Sequence, residues 1–322
     1  MRYLVTGGTG YVGSHVVAAL YKAGHSCVVL DSLENSSYST LRRLEALCKK
    51  RIPFLHHSIT YGIPPSVGPI DGVFHLAGLK SVAESAVLEE RYRFVNVEGT
   101  AAVVEYACSY GVPVVFSSSA TVYAESADPL NEDSPLHPIS VYGETKLAAE
   151  RILQEYGNAV ILRYFNPVGA HPSLLIGENP VSTPTNLVPL LIRAAAAGQT
   201  LSLFGSDYPT PDGSCIRDYV DVNDLADGHL MAVSHAHSHK GYSVFNLGTG
   251  AGTSVIQLVG TFNSATGNKV ALRPCSRRPG DQAIAVASVE KAFRVLGWAP
   301  SSTLHQSMKS AWDFWKGNET RS

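Results

Sequence analysis

Nine residues near the start of the chain, Val5-Thr6-Gly7-Gly8-Thr9-Gly10-Tyr11-Val12-Gly13, restrict its fold more than any other stretch. An apolar run over 2–5 leads into them. Val12, Val16, Val17 and Leu20 then recur at helical spacing until Gly24, a helix-stop residue. Gly7, Gly10 and Gly13 therefore stand between a strand and a helix in a G-x-x-G-x-x-G spacing. Glycine is needed there because the backbone must turn tightly and a pyrophosphate must reach the helix N-terminus with no Cβ in its way. A second apolar run over 27–30 ends in Asp31, 18 residues beyond Gly13. A carboxylate at that point accepts hydrogen bonds from a ribose 2′-hydroxyl and repels a 2′-phosphate, so the spacing predicts NAD in preference to NADP.

The strand–helix alternation continues. Helical patterns over 38–49, 92–110 and 141–156 separate strand-like runs near 52–55, 72–76, 112–117 and 159–163. Alternation of this kind, with strands apolar throughout, predicts an α/β fold: a Rossmann-type doubly wound parallel sheet covered on both faces. After about residue 165 the texture changes. Stretches 166–185 and 205–215 are rich in Pro, Gly, Ser and Asn, and they frame a helix over 186–198. Ordered loops of that length are often functional. A helical pattern at 221–236 and a strand-like run at 242–246 are expected to return to the first sheet. The expected organisation is an NAD-binding domain over 1–165, with returning segments near 219–247, and a smaller mixed α/β substrate lobe built from 166–218 and 248–322.

Composition narrows the function classes. The 25 Lys+Arg against 27 Asp+Glu give a net charge of −2, with 16% of residues charged and 45% hydrophobic. Such a chain is too apolar to be disordered and too near neutral for a general polyanion groove, so nucleic acid is not an expected partner. Five scattered cysteines without a C-x-x-C pair fit a reducing compartment. No apolar run approaches the ~18 residues of a membrane span, and the chain enters its glycine turn with no room for a signal peptide. A cytoplasmic protein without a membrane partner is expected.

Tyr142-Gly-Glu-Thr-Lys146 opens a helical pattern, and its i,i+4 spacing puts the phenol and the ammonium on one face. A free phenol has a pKa of about 10. A cation near ~4 Å at an effective dielectric of about 20 is worth roughly 4 kcal/mol, or about three pKa units. Lys146 and a positive nicotinamide together are expected to poise Tyr142 near neutral pH as a general base. Ser117-Ser118-Ser119-Ala120-Thr121 follows the strand-like run, at the end where parallel sheets bind ligands. Ser119 and Thr121 are both candidates to relay a proton from a sugar hydroxyl to Tyr142.

With these motifs placed, the chain resembles the extended short-chain dehydrogenase/reductase superfamily and, within it, the UDP-galactose (UDP-glucose) 4-epimerases. The similarity runs from Met1 to about Trp312. It rests further on Ala77-Gly-Leu-Lys80, Arg163-Tyr-Phe-Asn-Pro-Val-Gly-Ala-His-Pro172, Phe204–Thr210, Arg217-Asp-Tyr219, Asp224-Leu-Ala-Asp-Gly-His229 and Arg277-Arg-Pro-Gly-Asp281. The resemblance implies one tightly held NAD and epimerisation of UDP-hexoses at C4 through a transient 4-keto sugar, with no net redox change. Tyr142 would take the 4-hydroxyl proton while C4 gives up its hydride; the sugar would then swing about its diphosphate and receive the hydride on the other face. A turning sugar requires a firm grip on UDP and a loose one on the hexose.

The same resemblance implies site residues. Around the cofactor it places Gly7, Gly10, Tyr11, Val12, Gly13, Asp31, Asn35, Ser36, Ser58 and Ile59, then Leu76, Ala77, Gly78, Lys80, Asn96, Tyr142, Lys146, Tyr164 and Phe165. Around the UDP-sugar it places Lys80, Ser119, Ala120, Thr121, Tyr142, Phe165, Asn166, Asn186, Leu187, Phe204, Arg217, Tyr219, Arg278, Asp281 and Ala285. A homodimer joined through the helices near 92–110 and 141–156 is a further implication.

Three features depart from the family pattern. Where the family carries Asp-Ile after the third strand to contact adenine, this chain has Ser58-Ile59. The loop 60–69 holds Pro64, Pro65 and Pro69, so the helix usual there is expected to be lost. Beside the hexose, a bulky Tyr marks enzymes restricted to glucose and galactose, and here the position is Ala285. The space left fits an acetamido group, so UDP-GlcNAc and UDP-GalNAc are expected as substrates unless a neighbouring side chain fills the gap.

Other readings fit less well. A sugar-nucleotide 4,6-dehydratase needs Asp-Glu after the threonine, whereas Val122-Tyr123 follows Thr121. Asp31 disfavours an NADP reductase. A non-catalytic NAD-binding regulator has no use for Tyr142, Lys146 and the arginines together. His235-Ala-His-Ser-His239 lacks neighbouring Asp, Glu or Cys and is expected to be a solvated loop, with no metal site. Trp298, Trp312, Trp315 and Phe314 read as helix packing or a partner face.

Overall fold

The structure is a computed structural model that describes residues 1–181, 184–278 and 280–319, the side chain of Glu319 excepted. The chain opens with β1 (Arg2–Thr6), α1 (Tyr11–Lys22), β2 (Ser26–Asp31), α2 (Tyr38–Cys48), β3 (Phe54–His56) and β4 (Gly72–His75). Next come α3 (Val82–Ser85), α4 (Glu89–Arg93), α5 (Gly99–Tyr110), β5 (Val114–Ser119), α6 (Val141–Tyr156) and β6 (Ala159–Tyr164). The second half holds β7 (Asn166–Val168), α7 (Leu187–Ala197), β8 (Leu201–Phe204), β9 (Ile216–Asp221), α8 (Val222–Ser238) and β10 (Tyr242–Leu247). It ends with β11 (Gly252–Ser254), α9 (Val255–Thr266), β12 (Leu272–Cys275), β13 (Ile284–Ala285) and α10 (Leu304–Glu319).

Seven strands form one parallel sheet in the order β3-β2-β1-β4-β5-β6-β10. The order reverses between β1 and β4, which opens a crevice at the strands' carboxyl ends. Because a strand alternates its faces, Val5 and Val29 pack with Val16, Leu20, Leu44 and Leu225 on one side. Their neighbours Leu4 and Leu30 pack with Val103, Ala107, Ala149 and Leu153 on the other. Burial on both faces is why these strands read as unbroken apolar runs.

β10 joins this sheet, as its sequence pattern predicts. β9 does not. It lies in a smaller sheet, paired with β7 and β13 in parallel and with β11 antiparallel, so the return toward the large sheet starts with α8. A third, two-stranded sheet joins β8 and β12. Leu191 of α7, Leu258 and Phe262 of α9, and Met308 and Trp312 of α10 close the lobe core. Trp312 meets the Phe262 ring edge-on at 5.8 Å, while buried Trp298 donates its indole N–H to the Asp224 carbonyl at 2.8 Å. These aromatics are core packing.

Two local findings concern the sequence reading. The proline-rich loop forms only short 3₁₀ turns at Ile59–Tyr61 and Pro65–Val67, as the prolines predict. The histidine run is not a solvated loop: His235 and His237 sit in the last turn of α8, and His235 stacks on His239 at 4.4 Å. At the helix end the Ser238 hydroxyl donates back to the Ser234 carbonyl at 3.0 Å. Among the described residues no helix is long and apolar enough to cross a membrane.

Candidate active site

The first wall of the crevice is the turn between β1 and α1. Gly7 adopts φ +70, and its N–H donates to the Leu30 carbonyl at 2.9 Å. A Cβ at Gly7 would lie 2.6 Å from the Ala77 nitrogen, and one at Gly13 would lie 2.1 Å from the Gly7 carbonyl oxygen. The glycines thus serve the chain's own backbone approach as well as leaving bare N–H groups for a diphosphate. Asp31, 8% exposed, ends β2 and organises the turn from below. Its carboxylate accepts from the Thr9 N–H at 3.1 Å, the Leu33 N–H at 2.9 Å and the Ser36 hydroxyl at 3.1 Å. Asn35 is exposed beside it, and Val12 is half-buried. A bare cradle at a helix start, with a fixed carboxylate at the end of the next strand, fits a dinucleotide with a free ribose 2′-hydroxyl.

The second wall is the segment after β4. Leu76 donates its N–H to the Thr6 carbonyl at 3.1 Å, and Ala77 donates to the Thr6 hydroxyl at 3.3 Å. Gly78 has φ +158, and a Cβ there would lie 2.9 Å from Asn96 Oδ1. Asn96 is buried in a π-helical stretch, Phe94–Glu98, that interrupts the long helix between α4 and α5. Its Oδ1 accepts the Leu79 N–H at 2.8 Å, and its Nδ2 donates to the Leu79 carbonyl at 3.0 Å and to Thr145 Oγ1 at 3.0 Å. Asn96 therefore ties the Gly78–Lys80 backbone to α6, and the π-bulge is what aims it there. Ser58 caps the following turn through the Thr60 N–H at 3.4 Å, while buried Ile59 packs where a Cβ on Gly99 would stand. Lys80 reaches Glu178 across the crevice at 3.3 Å.

The candidate reacting groups lie between these walls. Ser140 caps α6 by accepting the Gly143 N–H at 3.1 Å, and the Tyr142 N–H donates to Ser85 Oγ at 3.1 Å. Lys146 is buried one turn on, donates to the Ser117 carbonyl at 2.8 Å, and lies 5.9 Å from the centre of the Tyr142 ring. The phenol is not drawn toward neutral pH by these groups. Burial pushes Tyr142 up to about 12, against the opposing hydrogen bond of Ser119. Burial also lowers Lys146 to about 8, with Glu150 acting the other way. The ammonium sits over the Tyr142 ring, on the face that the i,i+4 spacing predicts, and burial is the larger influence on the phenol. Thr121 donates to Ser119 Oγ at 3.0 Å, so the order of hydroxyls runs Thr121, Ser119, Tyr142. Ala120 lies half-buried between them in sequence.

Beneath α6 a buried ion pair fixes the helix. Arg163 donates Nε and Nη2 to the two Glu150 oxygens at 3.0 and 2.7 Å, Ser118 also donates to Glu150, and the guanidinium lies 4.8 Å over the Tyr123 ring. Tyr164 and Phe165 are buried at the end of β6. Tyr164 hydrogen-bonds His229, whose Nδ1 meets the Leu225 carbonyl at 2.7 Å; burial lowers His229 to about 4.

The lobe supplies cations on aromatic faces. The Arg278 guanidinium lies 3.8 Å over the Phe204 ring, and that of Arg277 lies 4.1 Å over Tyr208. Arg217 donates to the Ile216 carbonyl at 2.9 Å and stands 3.7 Å from Asp281. Pro279, between Arg278 and Asp281 in sequence, lies outside the described residues. Asn186 precedes Leu187 at the start of α7, Asn166 is exposed at the start of β7, and Tyr219 is buried in β9. Ala285 pairs in register with Arg217.

Several partners escape sequence reasoning. Ser85, Glu178, His75 and Thr100 belong to no motif that chemistry singles out, and Thr6 and His229 stand in motifs that assign them no role; Thr6, His75 and Thr100 form a buried chain at 2.8 and 2.9 Å. Asp218 carries a partial signal, as the middle of Arg217-Asp-Tyr219. It is fully buried and accepts from the N–H groups of Thr249, Gly250 and Ala287 at 2.7, 2.9 and 3.2 Å.

A parallel sheet with a glycine cradle, a fixed acid at the end of the second strand and a tyrosine–lysine helix defines an NAD-dependent enzyme. The chain belongs to the NAD dependent epimerase/dehydratase family, whose model matches residues 3–248. The UDP-glucose 4-epimerase of Dictyostelium discoideum is 43% identical over 97% of this chain and 94% of its own length. The crystal structure of UDP-glucose-4-epimerase from Stenotrophomonas maltophila, with bound NAD and formylated UDP-arabinopyranose, superposes with a TM-score of 0.96 at 37% identity over 100% of both chains. That of the Bifidobacterium longum UDP-glucose 4-epimerase, in complex with NAD+ and UDP, gives 0.93 at 34% identity over 99% of each.

Proposed function

We propose that this chain interconverts UDP-glucose and UDP-galactose with NAD as a resident cofactor. The observation that carries the reading is the row of hydroxyls from Thr121 through Ser119 to the Tyr142 phenol, set at the carboxyl end of β5. The epimerases matched over nearly the whole chain support it. When bound, NAD supplies the hydride acceptor and donor for C4 and a positively charged ring. The chain's own residues manage the proton and the grip.

Gly7, Gly10, Tyr11 and Gly13 hold the cofactor's diphosphate and Asp31 its adenine ribose, Gly78 lines the cofactor, Lys146 faces the nicotinamide ribose, and Lys80 stands where it serves both the cofactor's phosphates and the UDP-sugar. Tyr142 removes the sugar 4-hydroxyl proton through Ser119, with Thr121 one step behind, and returns it after the hexose has turned. The phenol begins at about 12 with Lys146 alone beside it, so at neutral pH it is a poor base until a second positive charge, that of the nicotinamide, stands nearby. Proton removal is thus confined to a loaded cleft. Arg217, Arg278, Phe204, Asn166, Asn186, Leu187, Tyr219 and Asp281 grip UDP, and a pair of copies joins through α5 and α6. The test is the purified protein with UDP-galactose and no added NAD. UDP-glucose should accumulate toward equilibrium; none would sink the reading.

UDP-GlcNAc and UDP-GalNAc are substrates on the same reading. Ala285 neighbours Arg217 across paired strands, so only a methyl group stands at a position beside a phosphate-binding arginine. Wild type should turn over UDP-GalNAc, and Ala285→Tyr should lose that turnover while keeping UDP-galactose. A wild type inert toward UDP-GalNAc removes the wider specificity.

A further inference from the structure

We infer that Glu178 is a positioning residue that sets two ligand-facing side chains with one carboxylate oxygen, Lys80 for a diphosphate and Asn186 for the uridine nucleotide. The inference rests on the proposed UDP-hexose reading. Glu178 Oε1 accepts from Lys80 Nζ at 3.3 Å and from Asn186 Nδ2 at 3.2 Å, and so joins the segment after β4 to the start of α7. Its mount is firm. Ile176 is buried, a Cβ on Gly177 would lie 2.6 Å from the Phe314 ring, and the His171 N–H donates to the Ile176 carbonyl at 3.0 Å.

The exposures of the pair differ sharply: 12% for the Glu178 side chain and 54% for that of Lys80. A lysine stem in solvent spreads over many rotamers, and a fixed carboxylate narrows them before a phosphate arrives. Asn186 shows the same influence. An asparagine before a helix normally spends its side-chain oxygen on the first-turn N–H groups. Here the side chain makes no cap bond, and its amide nitrogen is held by Glu178 instead. That leaves the amide oriented by a neighbour rather than by its own helix.

UDP binding to the NAD-loaded protein, measured by calorimetry, tests this. Glu178→Gln keeps an acceptor for Asn186 and loses the ion pair; Glu178→Ala loses both. The UDP Kd should rise about threefold in the first and about tenfold in the second. The KM for UDP-galactose should rise in step, with kcat within about twofold. In a Lys80→Met background, Glu178→Gln should add nothing, because its ion-pair effect runs through Lys80. An unchanged UDP Kd in Glu178→Ala, a fully additive double variant, or a loss confined to kcat would each overturn the inference. Absence of UDP-galactose turnover in wild type would overturn the epimerase reading alone, since calorimetry with UDP reads Glu178 without turnover.

Discussion

On the sheet side of the crevice, Arg163 and Glu150 meet through paired hydrogen bonds with both side chains 3% exposed. Across it, in the lobe, Arg277 and Arg278 are exposed and lie flat on Tyr208 and Phe204. The first arrangement allows almost no movement, since breaking a buried pair leaves an uncompensated charge. The second gives a cation a preferred aromatic face, to which Arg277 adds an ion pair with Asp207 at 2.8 Å. The difference matches the two duties of the proposed reaction. A proton and a hydride need groups fixed to fractions of an ångström, and a nucleotide that enters and leaves needs a grip that can let go.

Tyr142→Phe bears hardest on the rigid side. Turnover should fall by about 10²–10⁴-fold, the range of a lost general acid–base, while NAD content stays that of wild type. Turnover within tenfold of wild type would move the proton chemistry elsewhere.

Next in size is an acid sensitivity centred on that half. Burial lowers His15 and His75 to about 3 and His229 to about 4. In the unfolded chain these histidines bind protons near pH 6.5. Between pH 6.5 and about 4 the unfolded state therefore holds more protons than the folded state. Their contribution is intact above 6.5 and is lost as pH falls, by up to about 1.4 kcal/mol per pH unit for each histidine. A thermal midpoint that stays flat from pH 7 to 5 would show that they are not held neutral.

The smallest effect falls on the adaptable side. Arg278→Ala should weaken UDP binding roughly tenfold, about 1.4 kcal/mol, by removing a stacked cation, and leave the thermal midpoint unchanged. A fall in the midpoint comparable to that from breaking Glu150–Arg163 would erase the contrast between the two sides.

Much of this was legible from spacing. The Gly7–Gly13 turn, Asp31, and the phenol and ammonium of Tyr142 and Lys146 are local patterns, fixed by strand-turn-helix geometry and by 3.6 residues per turn. The lobe was harder. Ile216–Asp221 mixes charged and apolar residues, yet as β9 it pairs with β7, β11 and β13, because a short segment does not state which sheet it will join. The state of Tyr142 also could not be read. The sequence shows a nearby lysine but not the burial that pushes the phenol up.

The sequence by itself determined the parallel sheet, the NAD cradle and the placing of Tyr142 and Lys146 on one helix face, since each follows from residues a few positions apart. Tertiary structure decided which distant groups set them. Glu178 meets Lys80 across 98 positions, Asn246 takes the Tyr123 hydroxyl across 123, and Ser85 meets the start of α6 across 57. Such pairs form only once packing has fixed their distance and excluded water, so no local pattern records them.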